Sequence, residues 1–361
     1  MGYFKKIKLF NYRNFTYFEN DFSERCNVLF GENGSGKTNI LEAISLFGKG
    51  RGFRKDNISN IIKFKEESFI NYGYFYNQEI INEIKVSSEK NQKNFKKKMS
   101  LNSDTSRDSI NYLHSLFSFI SFFPEMERLF LLSPKYRRNF IDNLIFSRKK
   151  NYNTLVNKYK KLITERNKVL NSQFNENMWL EKLEQDIANS GIEIYLERES
   201  QLEILNKQLA LLAKRKKHSY NIKVEILDIF IKEDMNLDYY SHSLKQSRLE
   251  DKLVGGAKIG PHKSDIFCKI SDDISASQLS TGQQKTLVLL LILAQCNYLV
   301  EECKLSPILL MDEVCSHLDE KNRWILLQLT KDFNLQIFMT GTDKNLFSFL
   351  STNTKFYNIR N

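Results

Sequence analysis

One glycine-rich segment of the chain carries the residue types that bind phosphate. It fits the pattern G-x-x-x-x-G-K-[ST] and reads Gly31, Glu32, Asn33, Gly34, Ser35, Gly36, Lys37 and Thr38. Glycines let backbone N–H groups converge on an anion, and the N-terminus of a following helix adds its dipole. The lysine reaches the β- and γ-phosphates, and the threonine hydroxyl binds Mg²⁺. The segment predicts a nucleotide-binding P-loop with bound Mg²⁺ rather than an ordinary glycine-rich turn.

A second candidate is an apolar strand that ends in two carboxylates. Residues 308–311 are apolar and are followed by Asp312 and Glu313, the shape of a Walker B element. Acidic residues often follow strands, but a P-loop in the same chain favours the functional interpretation. Asp312 can then join Thr38 in the Mg²⁺ shell, and Glu313 can orient and deprotonate the attacking water as the catalytic base.

A third segment, residues 279–285, begins a long apolar helix and resembles the signature motif of ABC-type ATPases. Ser280, Gly282 and Gln283 are its candidate ATP-binding residues, because a capped helix N-terminus with a glycine can receive a γ-phosphate. Taken alone, the segment is only a good helix cap. Residues 316–319, after the Walker B element, resemble the D-loop of the same ATPases. The resemblance implies an ATP-dependent homodimer in which each signature motif completes the partner's site.

The elements around these motifs predict an α/β protein. An apolar run before Gly31 and helical spacing after Thr38 indicate strand, loop and helix. Residues 69–75, 80–86 and 95–101 are typical of an antiparallel meander. Helices over 284–300 and 321–331 and strands over 307–311 and 335–339 are expected to follow, and residues 222–230 suggest a strand returning to the body.

Heptad-like seams predict an antiparallel helical arm inserted into this body. One contains Tyr152, Leu155, Tyr159, Leu162, Arg166 and Val169, and the other Leu202, Leu205, Leu209 and Leu212. The expected fold is an ABC-type ATPase head, with a P-loop mixed sheet and an antiparallel β meander, interrupted by the arm. The expected domains are 1–123 and 218–361 for the head and 124–217 for the arm, or lobe II.

Charge and composition narrow the partners and the compartment. The 54 Lys+Arg against 43 Asp+Glu give a net charge of +11, which favours a polyanionic partner over a merely solvated surface. Basic runs at 90–98, 148–150 and 214–217 are equally compatible with nucleic-acid contact and with solvation. The five cysteines form no C-x-x-C pair, and no apolar run is long enough to span a membrane. We expect a cytoplasmic protein with reduced, buried thiols and no membrane partner.

Taken together, the chain resembles the RecF family of bacterial recombination-repair ATPases. The strings that carry this resemblance are 11–15, 31–44, 123–125, 137–142, 165–167, 260–265, 279–285, 308–313 and 340–342. The stretch between the P-loop and the signature is too long for a transporter ATPase and too short for SMC coiled coils.

The resemblance implies an ATP-dependent DNA-binding protein of recombinational and replication-gap repair. Its expected partners are single-stranded and duplex DNA, gap junctions, RecR, RecO and RecA. The resemblance also implies that it helps to load RecA at gaps and has a role in the SOS response. Weak DNA-dependent ATPase activity would accompany this role. The alternative is an SMC-like structural DNA tether in which ATP controls assembly only. A small-molecule kinase is disfavoured because it would not need the signature helix.

Several residues keep two interpretations. Glu125 is a candidate for the Q-loop position, and residues 340–342 stand where transporter ATPases carry a switch histidine. His262 follows Gly-Pro and is a turn residue or a ligand, with the structural role favoured. Arg137 and Arg138 either bind DNA or pair with Asp142.

Overall fold

The structure, a computed structural model, describes residues 2–91, 94–172, 177–216, 221–228, 236–270, 274–305, 307–315, 319–331 and 335–360. The chain divides into two compact units. We call Met1–Glu127 with Thr281–Asn361 the head unit, and Arg128–Ser280 the insert unit. The sequence-based boundary at 217 differs from this division, because the insert unit continues to Ser280.

The strands along the chain are β1 Tyr3–Tyr12, β2 Phe15–Asp21, β3 Cys26–Phe30, β4 Ser68–Asn77, β5 Ile80–Asn91, β6 Asn94–Phe95, β7 Lys98–Leu101, β8 Phe119–Phe122, β9 Ile222–Leu227, β10 Asp265–Ile270, β11 Ile274–Ser275, β12 Ile308–Met311, β13 Gln336–Gly341 and β14 Lys355–Asn358. The α-helices are α1 Lys37–Ser45, α2 Ile58–Ile61, α3 Arg107–Leu116, α4 Pro134–Arg148, α5 Tyr152–Leu170, α6 Asn177–Lys216, α7 Leu237–Gln246, α8 Arg248–Val254, α9 Thr281–Glu301 and α10 Glu320–Lys331. Short 3₁₀ helices cover Pro124–Arg128, Ala276–Gln278 and Lys344–Phe347.

A parallel sheet in the head unit carries the P-loop and Walker B strands. Its order is β14-β3-β13-β12-β8, and each described pairing is parallel. Strands β12 and β13 are buried at every position, which matches their nearly continuous apolar sequences. Because parallel strands end at the same edge, the residues that follow β3, β12 and β13 are brought together.

An antiparallel sheet completes the head unit and confirms the predicted meander. Strand β4 pairs with β1 and β5, and β2 pairs with β1. The predicted third segment is divided into β6 and β7, which both pair with β5. A cluster of buried aromatic and aliphatic side chains packs between the elements of this unit, with Phe4 within 5.2 Å of the rings of Phe47, Phe75 and Phe117.

The insert unit contains the predicted helix pair. Contacts from Arg166 on α5 to Glu184 on α6, and from Arg148 on α4 to Gln201 on α6, fit an antiparallel arrangement. Two of the six positions of the first predicted seam are displaced by one residue: Val156 and Leu170 are buried, whereas Leu155 and Val169 are only half-buried. The reason is that α5 packs against α4 and α8 as well as against α6, so more than one face of the helix is covered.

Strand β9 corrects one expectation. A strand is present over Ile222–Leu227 of the predicted range 222–230, of which residues 229 and 230 lie outside the described residues. It pairs with β10 in the three-stranded sheet β11-β10-β9 of the insert unit. It therefore does not return to the head sheets. Six register pairs, from Asp265 with Leu227 to Ile270 with Ile222, hold it there.

Candidate nucleotide-binding site

The P-loop follows β3 directly, and its glycines are required by the backbone. Gly31 has φ +149°, and a Cβ there would lie 2.4 Å from the carbonyl oxygen of Ile359. Gly36 has φ +97°, and its Cβ would lie 2.4 Å from the ring of Phe15. Gly34 also has a positive φ, of +83°, in open space. The loop is thus a tight turn that only glycine permits at these positions.

Lys37 lies inside this loop rather than in solvent. Its Nζ donates hydrogen bonds to the carbonyl oxygens of Gly31, at 2.9 Å, and Glu32, at 2.7 Å. Burial lowers the pKa of the Lys37 ammonium, and the carboxylates of Glu313 and Asp312 oppose this shift. The cation is therefore held at the centre of the loop, where it faces the Walker B acids.

A chain of hydrogen bonds joins the P-loop to the Walker B strand. The Oγ1 of Thr38 donates to Oδ1 of Asp312 at 2.9 Å, and the Oγ1 of Thr340 donates to the same oxygen at 2.7 Å. The backbone N–H of Glu313 donates to Oγ1 of Thr340 at 2.8 Å. Glu313 has φ +47°, which is unfavourable for a residue with a side chain. Thr340, at the end of β13, thus holds both acids in place.

The role of Thr340 was missed by sequence reasoning, which left residues 340–342 without an assigned sensor. The available signal was its position at the carboxyl end of an apolar strand, the same position that marks Asp312. Only the strand order, with β13 between β3 and β12, shows that it bridges the two motifs.

These residues fit a Mg²⁺–triphosphate group. A hydroxyl and a carboxylate 2.9 Å apart are oxygen ligands of the kind that Mg²⁺ prefers. Helix α1 begins at Lys37 with Gly36 as N-cap and no side-chain cap, so its first amides point at the loop. Among the described residues, the buried Oγ of Ser35 has no hydrogen-bond partner. The loop therefore offers donors that suit an anion.

A network behind α1 supports the loop. The carboxylate of Glu42 is fully buried and accepts hydrogen bonds from the Tyr12 hydroxyl, at 3.0 Å, and from Arg13, at 2.8 and 2.6 Å. Arg13 also pairs with Asp56 at 2.7 Å. A cavity of about 750 Å³ beside these residues is lined in part by Arg13, Asn39 and Arg54. Its size suits a small ligand.

The signature residues stand at the start of α9. Ser280, Gly282 and Gln283 are exposed. One turn further on, Lys285 is buried and donates to Glu127 at 2.6 Å. Glu125, the Q-loop candidate, is exposed in the same 3₁₀ helix as Glu127. Glu127, and not Glu125, therefore makes the described contact with helix α9.

The D-loop resemblance is only partly visible, because residues 316–318 lie outside the described residues. Asp319 is described, and its Oδ1 accepts a hydrogen bond from the backbone N–H of Asn322 at 2.8 Å. This contact makes Asp319 a cap for α10.

One lysine of the first basic run forms hydrogen bonds within the protein. Lys97 donates to the carbonyl oxygens of Leu46, Gly48 and Gly50, at 2.6, 3.0 and 2.9 Å, at the end of α1. Burial lowers the pKa of this ammonium to about 7, whereas the three carbonyls favour its charged form.

The second basic run is also partly paired. Arg148 and Lys149 both pair with Glu197, at 3.1 and 2.6 Å. Lys93 of the first run and Lys217 of the third lie outside the described residues. A charge run in the sequence therefore overstates the cationic surface that is free to bind a polyanion.

The ion pairs in the structure decide whether Arg137 pairs with Asp142. Arg137 forms a two-point ion pair with Asp265, at 2.7 and 2.8 Å, whereas Asp142 is the partner of Arg198. Of the two interpretations of Arg137, DNA binding or pairing with Asp142, the second is therefore wrong, because its ion-pair partner is Asp265.

The Nδ1 of His262 contacts the Tyr159 hydroxyl at 2.7 Å, and its Nε2 contacts the Ala257 carbonyl at 2.9 Å. Burial lowers the pKa of this imidazole. Both contacts favour the structural interpretation of His262.

The five cysteines carry free thiols, and four of them are buried, whereas Cys303 is half-buried. Burial raises the pKa of Cys26, Cys268, Cys296 and Cys315 to about 12. Within the described ranges, none of the helices combines the length and apolar character that crossing a membrane requires. The same ranges contain no group of three or more His, Cys, Asp or Glu that could hold a metal ion.

Comparison with known proteins identifies the family. The family model described as RecF/RecN/SMC N terminal domain matches residues 3–361. The DNA replication and repair protein RecF of Rickettsia felis is 33% identical over 358 residues, which cover 93% of this chain and 92% of the relative. The chain belongs to the RecF family. RecF of Rickettsia massiliae is also 33% identical, over 344 residues and 93% of each chain.

Solved structures confirm the fold of this RecF-family chain. The recombination mediator protein RecF-ATPrS in the RecFOR pathway matches with a TM-score of 0.83 and 28% identity, over 97% of this chain and 94% of that one. RecF-ATP in the same pathway matches with a TM-score of 0.81 and 28% identity, over 95% and 92%. An SMC head bound to the C-winged helix domain of ScpA shares the fold alone, with a TM-score of 0.56 and 16% identity, over 96% and 92%. The predicted ABC-type ATPase head is thereby confirmed.

Proposed function

We propose that this RecF-family chain binds ATP and Mg²⁺ at the P-loop and uses them to control its binding to DNA during gap repair. The observation that carries the proposal is the hydrogen-bond chain from Thr38 through Asp312 and Thr340 to Glu313. It joins the phosphate loop to the acids that nucleotide hydrolysis requires. Relatives whose names include RecF-ATP and RecF-ATPrS support ATP as the nucleotide.

Each residue has a role in hydrolysis. Residues 31–38 supply backbone N–H donors, and Lys37 holds the negative charge of the β- and γ-phosphates. Thr38 and Asp312 would hold Mg²⁺, which would supply positive charge to the same phosphates. Glu313 accepts a proton from the water that attacks the γ-phosphorus in line with the departing ADP oxygen. We expect slow, DNA-dependent turnover, because ATP here switches an assembly.

The signature residues are proposed to act in a second copy of the chain. Ser280, Gly282 and Gln283 are exposed, and a Cβ at Gly282 would meet no described atom within 4 Å. Internal packing therefore does not require glycine there, although glycine costs about 1 kcal/mol relative to alanine within a helix. Close approach by the γ-phosphate of a partner's ATP would require it. This supports an ATP-dependent homodimer.

The biological setting follows the relatives' names, DNA replication and repair protein and recombination mediator protein in the RecFOR pathway. We propose single-stranded and duplex DNA with gap junctions as substrates, RecR and RecO as partners, and RecA loading in the cytoplasm, with a consequent role in the SOS response. The net charge of +11 supports a polyanionic partner.

A salt titration of DNA binding, with and without Mg²⁺-ATP, tests the proposal. Lys37→Met should abolish the ATP-dependent part, because a thioether cannot supply charge at the phosphates. Lys49→Met, an exposed lysine near the end of α1, is the matched control and should respond to ATP like the unmodified protein. An unchanged ATP response in Lys37→Met contradicts the P-loop assignment. A log–log salt slope near zero contradicts binding through a basic surface.

A further inference from the structure

Two sequence strings that the ATP site does not use meet in the insert unit. Residues 137–142 on α4 and residues 260–265, which lead into β10, both contact Arg198 of α6. Arg198 donates to both carboxylate oxygens of Asp142, at 2.9 and 3.0 Å, and to the carbonyl oxygen of Pro261. A cavity of about 200 Å³ lies at this junction.

Four of the residues that line this cavity are cationic. Lys135, Arg138, Lys160 and Arg198 face it, with Asp142 as the acid among them. Since Arg198 already pairs with Asp142, three cations remain. Among the described residues, none of these three has a carboxylate within ion-pair distance, and the hydrogen bond described for Arg138 goes to the carbonyl oxygen of Ser264.

Arg138 is half-buried, and a half-buried cation is stabilised by a nearby anion. Burial and the nearby charge of Arg198 lower the pKa of its guanidinium, and the carboxylates of Asp265 and Asp142 oppose this shift. A guanidinium fork and lysine ammonium groups are donors that bind the oxygens of a phosphate group. The cavity volume is sufficient for one phosphate but lies below the range typical of pockets for larger ligands.

We propose that this cavity, formed by Lys135, Arg138 and Lys160, binds a phosphate group of the DNA backbone. The inference rests on the proposed DNA-binding function and assigns part of that binding to the insert unit. A backbone phosphate is favoured over the carboxylates of an acidic protein segment because three positive charges converge on one small opening. Such a contact carries no sequence information but fixes where the strand lies.

The test is the salt dependence of duplex-DNA affinity, measured with Mg²⁺-ATP. The double variant Lys135→Gln/Lys160→Gln changes two exposed side chains and should retain the fold. Each lost phosphate contact lowers the slope of log affinity against log salt by about 0.9, and the cavity is proposed to bind one phosphate, so the slope should be smaller by about 0.9. The matched control Lys182→Gln/Lys252→Gln, two exposed lysines of the same unit, removes equal charge and should keep the slope.

Each outcome decides the proposal. A double variant with the unmodified slope, or a control with the same loss, overturns the cavity assignment while DNA binding itself stands. If the double variant loses affinity for a polyglutamate peptide but keeps full DNA binding, the cavity assignment is also overturned, in favour of an acidic protein segment. Absence of DNA binding by the unmodified protein contradicts the proposed function and the cavity assignment together. Arg138→Gln should lower the slope by about 1, whereas Arg138→Lys should preserve it.

Discussion

Replacing Thr340 by valine removes one oxygen atom from the centre of the candidate site. The side chain is fully buried, and valine has nearly the same shape. The change deletes the hydrogen bond to Asp312 and the acceptor for the backbone N–H of Glu313. Glu313 would then lose the contact that holds its peptide at φ +47°.

The expected cost follows from these two contacts. A hydrogen bond to a charged group contributes about 1.5 to 3 kcal/mol, and an unsatisfied buried donor costs about 1 to 3 kcal/mol. Because Asp312 keeps its bond to Thr38, we expect the free energy of unfolding of the head unit to fall by about 2 to 4 kcal/mol. Misplacement of Glu313 should also slow ATP hydrolysis by about 10- to 100-fold, with little change in ATP affinity.

Urea unfolding and single-turnover hydrolysis of ATP measure the two effects. Thr342→Val makes the same chemical change at an exposed position, so it should alter stability by less than about 0.5 kcal/mol. Thr340→Ser keeps the hydroxyl and should restore most of the hydrolysis rate. If Thr340→Val is as stable and as active as Thr342→Val, the bridging role of Thr340 is refuted.

Two further predictions concern the insert unit. Leu205→Asp should destabilise it by about 3 kcal/mol, because it places a carboxylate at a fully buried position of α6, whereas Leu196→Asp on an exposed face of α6 should cost little by urea unfolding. The pKa of His262 is lowered by burial, so the unfolded chain binds more protons and stability should fall as the pH drops through the imidazole's usual value of about 6.5. His262→Gln should flatten this part of the pH–stability profile relative to the exposed His242→Gln control, and identical profiles for the two variants would exclude His262 as its source.

Local motifs were predictable because their chemistry is contained in short segments. The P-loop needs only a strand, its glycines and a helix start, and the Walker B element needs only an apolar run with two acids. The two-residue alternation of the meander was likewise visible in the sequence. In contrast, the contacts of Thr340 with Asp312 and of Arg137 with Asp265 could not be predicted. Both contacts depend on which distant elements become neighbours.

The helical seam and the basic runs show the same limit. Helix α6 packs against several elements, so its apolar pattern reflects more than one partner and a single heptad seam describes only part of it. Lys97 is held by carbonyls at the end of α1, while its neighbours Lys96 and Lys98 are exposed. Strand pairing determines which lysine of such a run is buried. The charge pattern of the sequence alone does not show which one it is.

The central claim is that the ATP site of one chain is completed by the signature motif of another. Sedimentation velocity with Mg²⁺-ATP tests this claim most directly. Ser280→Arg should bind ATP yet stay monomeric, because a bulky side chain at this exposed position blocks the partner's γ-phosphate. Glu313→Gln should accumulate as a dimer, because it keeps the phosphate contacts and removes the base. If Ser280→Arg still forms a dimer, or if Glu313→Gln remains a monomer, the shared ATP site is contradicted.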